Sequence, residues 1–252
     1  MTAPRGAALV TGAGRRIGRA LALAAAEAGF DVAVHYRASA DEAQDTADAI
    51  AALGRRAVIL DAELGDEAQV AALIDRAAQA LGPVTLLVNS ASTFADDRLQ
   101  THDRAGWDAH VEANLRAPVV LSQAFAAALP DGREGLIVNL IDQRVWRPNP
   151  QFFSYSLSKA GLWWATQTMA QALAPAIRVN AIGPGPVLPS VHQGPGAFEA
   201  EAAGTLLGRP VDPDEVAAAL RYLIDAGSVT GQMIAVDAGQ HLGWRTPDII
   251  GS

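Results

Sequence analysis

Tyr155 and Lys159 stand four residues apart, so on a helix they share one face. A lysine cation beside a phenol favours the phenolate and lowers the tyrosine pKa. That suits a tyrosine that gives or takes a proton while a hydride moves. The spacing alone is weak, since most such pairs are ordinary surface residues. Asp142 precedes the tyrosine, with Arg144 and Arg147 close enough in sequence to pair with it.

A second place for chemistry is the turn TGAGRRIG, 11–18. Gly12, Gly14 and Gly18 let backbone N–H groups approach a pyrophosphate at a helix N-terminus. Arg15 and Arg16, just before Ile17, put positive charge inside that turn. The second strand ends in VHYRAS, 34–39, without the acid that would bind the ribose 2′-OH of NAD. Arg37 offers a fork for a 2′-phosphate, and Arg16 reaches the same region. His35 and Ser39, flanking Tyr36 and Arg37, add hydrogen bonds there. The cofactor expected on these grounds is NADPH.

These residues need elements to hold them. Apolar strand-length runs fall at 7–11, 31–36, 56–60, 84–89, 135–141, 177–182 and 232–237. Between them lie helical patterns at 17–29, 41–54, 66–82, 104–128, 154–174, 197–207 and 214–226. Strands buried on both faces read as continuous apolar runs, so the alternation predicts a doubly wound parallel seven-stranded α/β sheet of Rossmann type, with helices on both faces. No linker or repeat divides the chain, and one domain over 1–252 is expected. The Pro- and Gly-rich stretch 183–196 is expected to be a loop at the carboxyl edge of the sheet, where ligands bind in such folds.

The chain has 252 residues, half of them hydrophobic, which is enough for a substantial core. Its formal charge of −8 argues against general nucleic-acid binding. No apolar run is long enough to span a membrane, and the first residues lack a secretory pattern. A cytoplasmic location is therefore expected. There is no cysteine, and His35, His102, His110, His192 and His241 show no ligand spacing, so no metal is expected.

Several short motifs recur together. They are T-G-x-x-x-x-I-G at 11–18, N-S-A-S at 89–92, Asn114, Y-x-x-x-K at 155–159, V-N-A-I-G-P-G at 179–185 and V-D-A-G at 236–239. Over essentially its whole length the chain resembles a short-chain dehydrogenase/reductase. That resemblance implies that Asn114 holds a water in a proton relay and that Lys159 also binds the nicotinamide ribose. It sets Asn89, Ser90 and Ala91 along the cofactor, Glu63 and Leu64 beside adenine, and Pro184 and Gly185 beside the nicotinamide; the run PGPVLPSV, 184–191, lacks the threonine that the family often sets against the nicotinamide amide, which leaves that contact to the backbone of Val187. It also implies a homotetramer built through 104–128 and 154–174.

Three departures narrow the resemblance. Asp142 stands where the family has serine, Arg16 where its turn has glycine, and N-S-A-S replaces N-N-A-G, continuing to Thr93 and Phe94. These features resemble the pteridine and dihydromonapterin reductases. The likeness implies that Arg16 contacts both pterin and cofactor phosphate, that Phe94 stacks on the pterin in a sandwich with the nicotinamide, and that Asp142 assists protonation through Tyr155. Ser92 joins them on the substrate side. A serine hydroxyl suits a carbonyl oxygen, whereas a carboxyl group can supply a proton towards a ring nitrogen, as C=N reduction requires. The function implied is NADPH-dependent reduction of a dihydropterin to a tetrahydropterin. A carbonyl or 3-oxoacyl reductase, and a non-catalytic NADP(H)-binding sensor, are the alternatives.

Overall fold

The computed structural model describes residues 5–189 and 194–244. Its strands are β1 (Ala7–Val10), β2 (Asp31–Tyr36), β3 (Ala57–Asp61), β4 (Val84–Asn89), β5 (Gly135–Leu140), β6 (Ile177–Pro184) and β7 (Met233–Val236). They form one seven-stranded sheet in the order β3-β2-β1-β4-β5-β6-β7. Every pairing is parallel. The order reverses between β1 and β4, so the chain leaving β1 and the chain leaving β4 diverge and open a crevice at the carboxyl edge.

The helices are α1 (Arg16–Glu27), α2 (Ala40–Ala52), α3 (Glu67–Leu81), α4 (Arg104–Val111), α5 (Ala117–Ala128), α6 (Phe153–Leu173), α7 (Ala197–Ala203) and α8 (Pro213–Asp225). Alternate strand residues face opposite layers. Val10, Val34 and Val138 pack with Leu21 and Ala25 of α1 and Val216 and Leu220 of α8. Leu9, Leu87 and Ile137 pack on the other side with Leu73 of α3 and Leu121 and Phe125 of α5. Helix starts follow side-chain chemistry. Asp66 accepts from the N–H groups of Ala68 and Gln69 ahead of α3, and Asp212 and Glu215 make a capping box on α8.

The pattern at 104–128 predicts one helix, but the structure has two, joined by a π-helical turn at Glu112–Arg116. The Ala117 N–H bonds the Glu112 carbonyl, five residues back. Pro118 is the physical reason. It has no N–H to give to the carbonyl four residues earlier, which is that of Asn114. The helix expected at 197–207 stops at Ala203. Of the stretch 183–196, residues 183–184 complete β6, and 190–193, with His192, lie outside the described residues.

Candidate active site

The turn after β1 is built around Gly12. Its φ is +65°, and a Cβ there would stand 2.9 Å from the Ala91 Cα. A Cβ on Gly18 would collide with the Gly12 carbonyl, so α1 starts pressed against the turn. The Thr11 hydroxyl accepts from the N–H groups of Ser90 and Ala91 at 2.9 and 3.0 Å, tying the turn after β1 to the one after β4. His35 does not reach outward to a phosphate, which corrects the expectation from VHYRAS. It is 1% exposed. Its Nδ1 accepts from the Gly12 N–H at 3.1 Å, and its Nε2 lies 3.2 Å from the Ala62 carbonyl. Those partners require a neutral ring with the proton on Nε2. Burial holds its pKa below the ordinary value.

Arg16 occupies left-handed backbone, φ +55°, where glycine is usual. Its guanidinium donates to the carbonyls of Pro189 and Leu188 at 3.0 and 3.1 Å, bridging to the segment after β6. Arg15, exposed, is the residue preceding α1, and the partly buried Ile17 packs on the core. At the other end of the turn Arg37 lies 3.9 Å from Glu63, and both side chains are more than half exposed. Water screens such a pair, and it engages few of the guanidinium's five donors. Ser39 precedes α2, its Oγ 3.3 Å from where a Cβ on Gly14 would lie. Tyr36 and Leu64 pack against the core on either side of this edge.

Asp142, Tyr155 and Lys159 converge at the carboxyl end of β5 and the first turns of α6. The Tyr155 hydroxyl donates to Asp142 Oδ2 at 2.9 Å. Asp142 Oδ1 accepts from the Arg144 N–H at 2.8 Å, and the Arg144 Nε lies 3.8 Å from that same oxygen. Lys159, 2% exposed, donates to the Leu140 carbonyl at 2.8 Å, and its Nζ is 5.7 Å from the Tyr155 ring centroid. Burial lowers the Lys159 pKa to about 8, against the pull of Asp142. The expected lowering of the tyrosine pKa is reversed. Burial, then the Asp142 carboxylate, push the phenol well above its ordinary value. A direct hydrogen bond to a carboxylate outweighs a cation that lies over the ring and is bonded elsewhere. Asp142 is itself raised by burial, opposed first by Arg144.

Phe94 stands edge-on to Tyr155, ring centroids 4.7 Å apart. It also stacks on Phe152 at 4.3 Å and 11°. Phe152 therefore lies beside Phe94 as a second ring that the sequence reading did not include. Asn114 is fully buried. Its Oδ1 accepts from the Thr93 N–H and the Ser92 hydroxyl, and its Nδ2 donates to the Thr93 carbonyl and the Ser158 hydroxyl. Those contacts match the hydrogen-bonding capacity of the side-chain amide. The Asn89 side chain donates to Asn139, whose amide donates to Thr166. Pro184 ends β6, and Gly185 lies so close to Asp237 that a Cβ would stand 2.6 Å from its Cα. Val187 is buried in the core. Among the described residues no three His, Cys, Asp or Glu side chains could together hold a metal ion.

A family model described as enoyl-(acyl carrier protein) reductase matches residues 12–241. A short-chain type dehydrogenase/reductase of Picea abies is 32% identical over 249 residues, covering 92% of this chain and 91% of the relative. The chain belongs to the short-chain dehydrogenase/reductase family. A 3-oxoacyl-acyl-carrier-protein reductase of Synechocystis is 32% identical over 236 residues, covering 92% of this chain and 95% of that one. Among solved structures, FolM alternative dihydrofolate reductase 1 from Brucella canis, complexed with NADP, is 48% identical with a TM-score of 0.92, covering 98% of this chain and 97% of that one. A short chain dehydrogenase from Burkholderia cenocepacia in complex with NADP is 34% identical with a TM-score of 0.88, covering 94% and 98%.

Several residues of this short-chain dehydrogenase/reductase take roles that the sequence motifs did not assign. Thr11, Thr93 and Ser158, each within or beside a motif, knit the loops. His110 accepts from the Ala95 N–H at Nε2 and lies 2.8 Å from the Gly106 carbonyl at Nδ1, so it braces the loop that carries Phe94. Asp97 accepts from the Ser154 N–H and fixes the start of α6 beside Tyr155. Phe152, at φ +54°, and Arg144 complete the wall. Arg144 was read from the sequence as a partner for Asp142, whereas nothing in local sequence marks Phe152.

Proposed function

We propose that this chain is an NADPH-dependent reductase that converts a dihydropterin to a tetrahydropterin, acting as one domain in the cytoplasm. The observation that carries this is the Asp142 carboxyl group hydrogen-bonded to the Tyr155 hydroxyl at 2.9 Å beside stacked Phe94 and Phe152.

The residues present fit a dinucleotide. Gly12 and Gly18 leave a cradle that a Cβ would fill, and Arg15 and Arg37 stand exposed near it with no acid at the end of β2. Gly12, Arg15, Arg16, Ile17 and Gly18 would hold the phosphates, and Arg37 and Ser39 the 2′-phosphate. Glu63 and Leu64 would flank adenine. Ser90, Ala91, Lys159, Pro184, Gly185 and Val187 would hold the nicotinamide end. When bound, NADPH supplies the hydride of the reduction.

The protein supplies the proton. Reduction of a C=N bond leaves a nitrogen that must take one. Tyr155 and Asp142 share a hydrogen bond, and burial raises both pKa values, so the pair retains a proton near neutral pH. The O–H bond breaks towards the substrate nitrogen, and its electron pair stays on the oxygen. Lys159, bonded to the Leu140 carbonyl, sets a cation over the Tyr155 ring, and the two phenyl rings offer a flat heterocycle a stacking surface.

The deciding experiment follows NADPH oxidation with a dihydropterin and with dihydrofolate, beside NADH and a panel of ketones and 3-oxoacyl thioesters. Turnover is expected with NADPH and the pterin compounds. D142S is expected to lower it by at least about 100-fold, the scale of general acid catalysis. Turnover confined to ketones or thioesters, with D142S faster, would favour a carbonyl reductase instead. Cofactor binding without any turnover would favour a sensor.

A further inference from the structure

We infer that Arg144 is a positioning residue of the proton-delivering pair, a fixed cation that holds Asp142 and Tyr155 ready to release their proton. This rests on the proton-delivering role proposed above for that pair.

Arg144 lies on the short 3-10 turn Gln143–Val145, directly after β5. It meets Asp142 twice. Its backbone N–H donates to Oδ1 at 2.8 Å, and its Nε lies 3.8 Å from that oxygen. The guanidinium carbon sits 5.0 Å from the Phe152 ring centroid, within cation–π range. One terminal nitrogen is 3.5 Å from Asn149 Oδ1. The side chain is only 14% exposed, so the charge is seated rather than waving in solvent. Phe152 in turn stacks on Phe94, which meets Tyr155 edge-on. The cation, the two rings, the phenol and the carboxylate thus form a closed circuit.

The other charged or titratable groups facing the pair are accounted for. Lys159 of α6 bonds the Leu140 carbonyl. His110 of α4 has its ring 6.3 Å from that of Tyr155, and both its nitrogens face backbone groups. Arg144 is the cation beside the carboxylate itself. Once the proton has left for the substrate nitrogen, the pair carries an added negative charge, and a preplaced cation stabilises it without reorganisation. The same cation opposes the burial that raises Asp142.

The test uses the full chain with R144Q, R144M and R144K. The Asp142 carboxyl carbon is titrated by carbon-13 NMR without substrate, its signal assigned by its loss in D142N. In R144Q and R144M the midpoint is expected to rise by about one pH unit or more, the effect of removing an opposite charge at this range. R144K, which keeps the charge, is expected to show no more than half of that rise. The kcat for whichever substrate is turned over is expected to fall about tenfold with R144Q and to be unaffected by it in a D142N background. A midpoint that stays put in both neutral variants overturns the proposal. If neither folds, F152L, which keeps the charge and removes its seat, must move the midpoint the same way, and no movement overturns it. Because the titration needs no substrate, its failure is distinct from failure of the dihydropterin assay.

Discussion

Lys159 carries a conflict between stability and use. Its ammonium is buried with one carbonyl partner, and its pKa falls from 10.5 to about 8. A drop of that size corresponds to about 3 kcal/mol of destabilisation whenever the folded lysine is charged. Below pH 8 both folded and unfolded chains hold the proton, and the penalty is complete. Between about pH 8 and 10.5 the unfolded chain holds more protons, so stability rises with pH. K159M should therefore unfold at pH 7 with a free energy higher by about 1–3 kcal/mol while losing turnover, and its advantage should shrink from pH 8 to 10.5. Denaturant unfolding at several pH values checks this; a less stable K159M would refute it. At this scale the sequence was informative where spacing is local. The four-residue step from Tyr155 to Lys159 put both on one face of α6. It gave the wrong sign for the phenol's titration, because that sign depends on Asp142, thirteen residues away along the chain, whose charged carboxylate accepts the phenol's hydrogen bond at the end of β5.

Among the elements, β2 and the turn after β1 are joined by a histidine ring. His35 keeps a neutral ring because Gly12 donates to one nitrogen, and burial penalises the charged form. The unfolded chain binds that proton near pH 6.5, whereas the folded chain resists it. Stability is then lost as pH falls below about 6.5. H35Q, which retains a hydrogen-bonding side chain, should lose part of this acid sensitivity and weaken NADPH binding. Urea midpoints at pH 5 and 7.5, with cofactor titration, test both; an unchanged pH dependence would count against a buried neutral His35. The strands were legible to within a residue or two because doubly buried runs are unbroken in apolar character. The break between α4 and α5 was not read, although Pro118 marked it, because the apolar periodicity runs straight across the π turn.

On the scale of the whole molecule, α6 shows solvent a stripe that a lone subunit does not need. Leu157 is 43% exposed and Trp164 71%. We propose that these large apolar side chains belong to an association surface. A homotetramer is the expected assembly, and L157E with W164E should yield a smaller species in light scattering; a tetramer unchanged by both would place the contact elsewhere. Arg16 spans a comparable distance within one chain. Its guanidinium, rooted in the first turn, holds the carbonyls of Leu188 and Pro189, far along the sequence on the opposite half of the sheet. A ligand that draws this side chain to itself takes two bonds from the segment after β6. A ligand that leaves it in place finds that segment already held. In the first case occupancy at the first turn and the conformation of the far segment are thermodynamically linked, and each alters the other's equilibrium by the same factor.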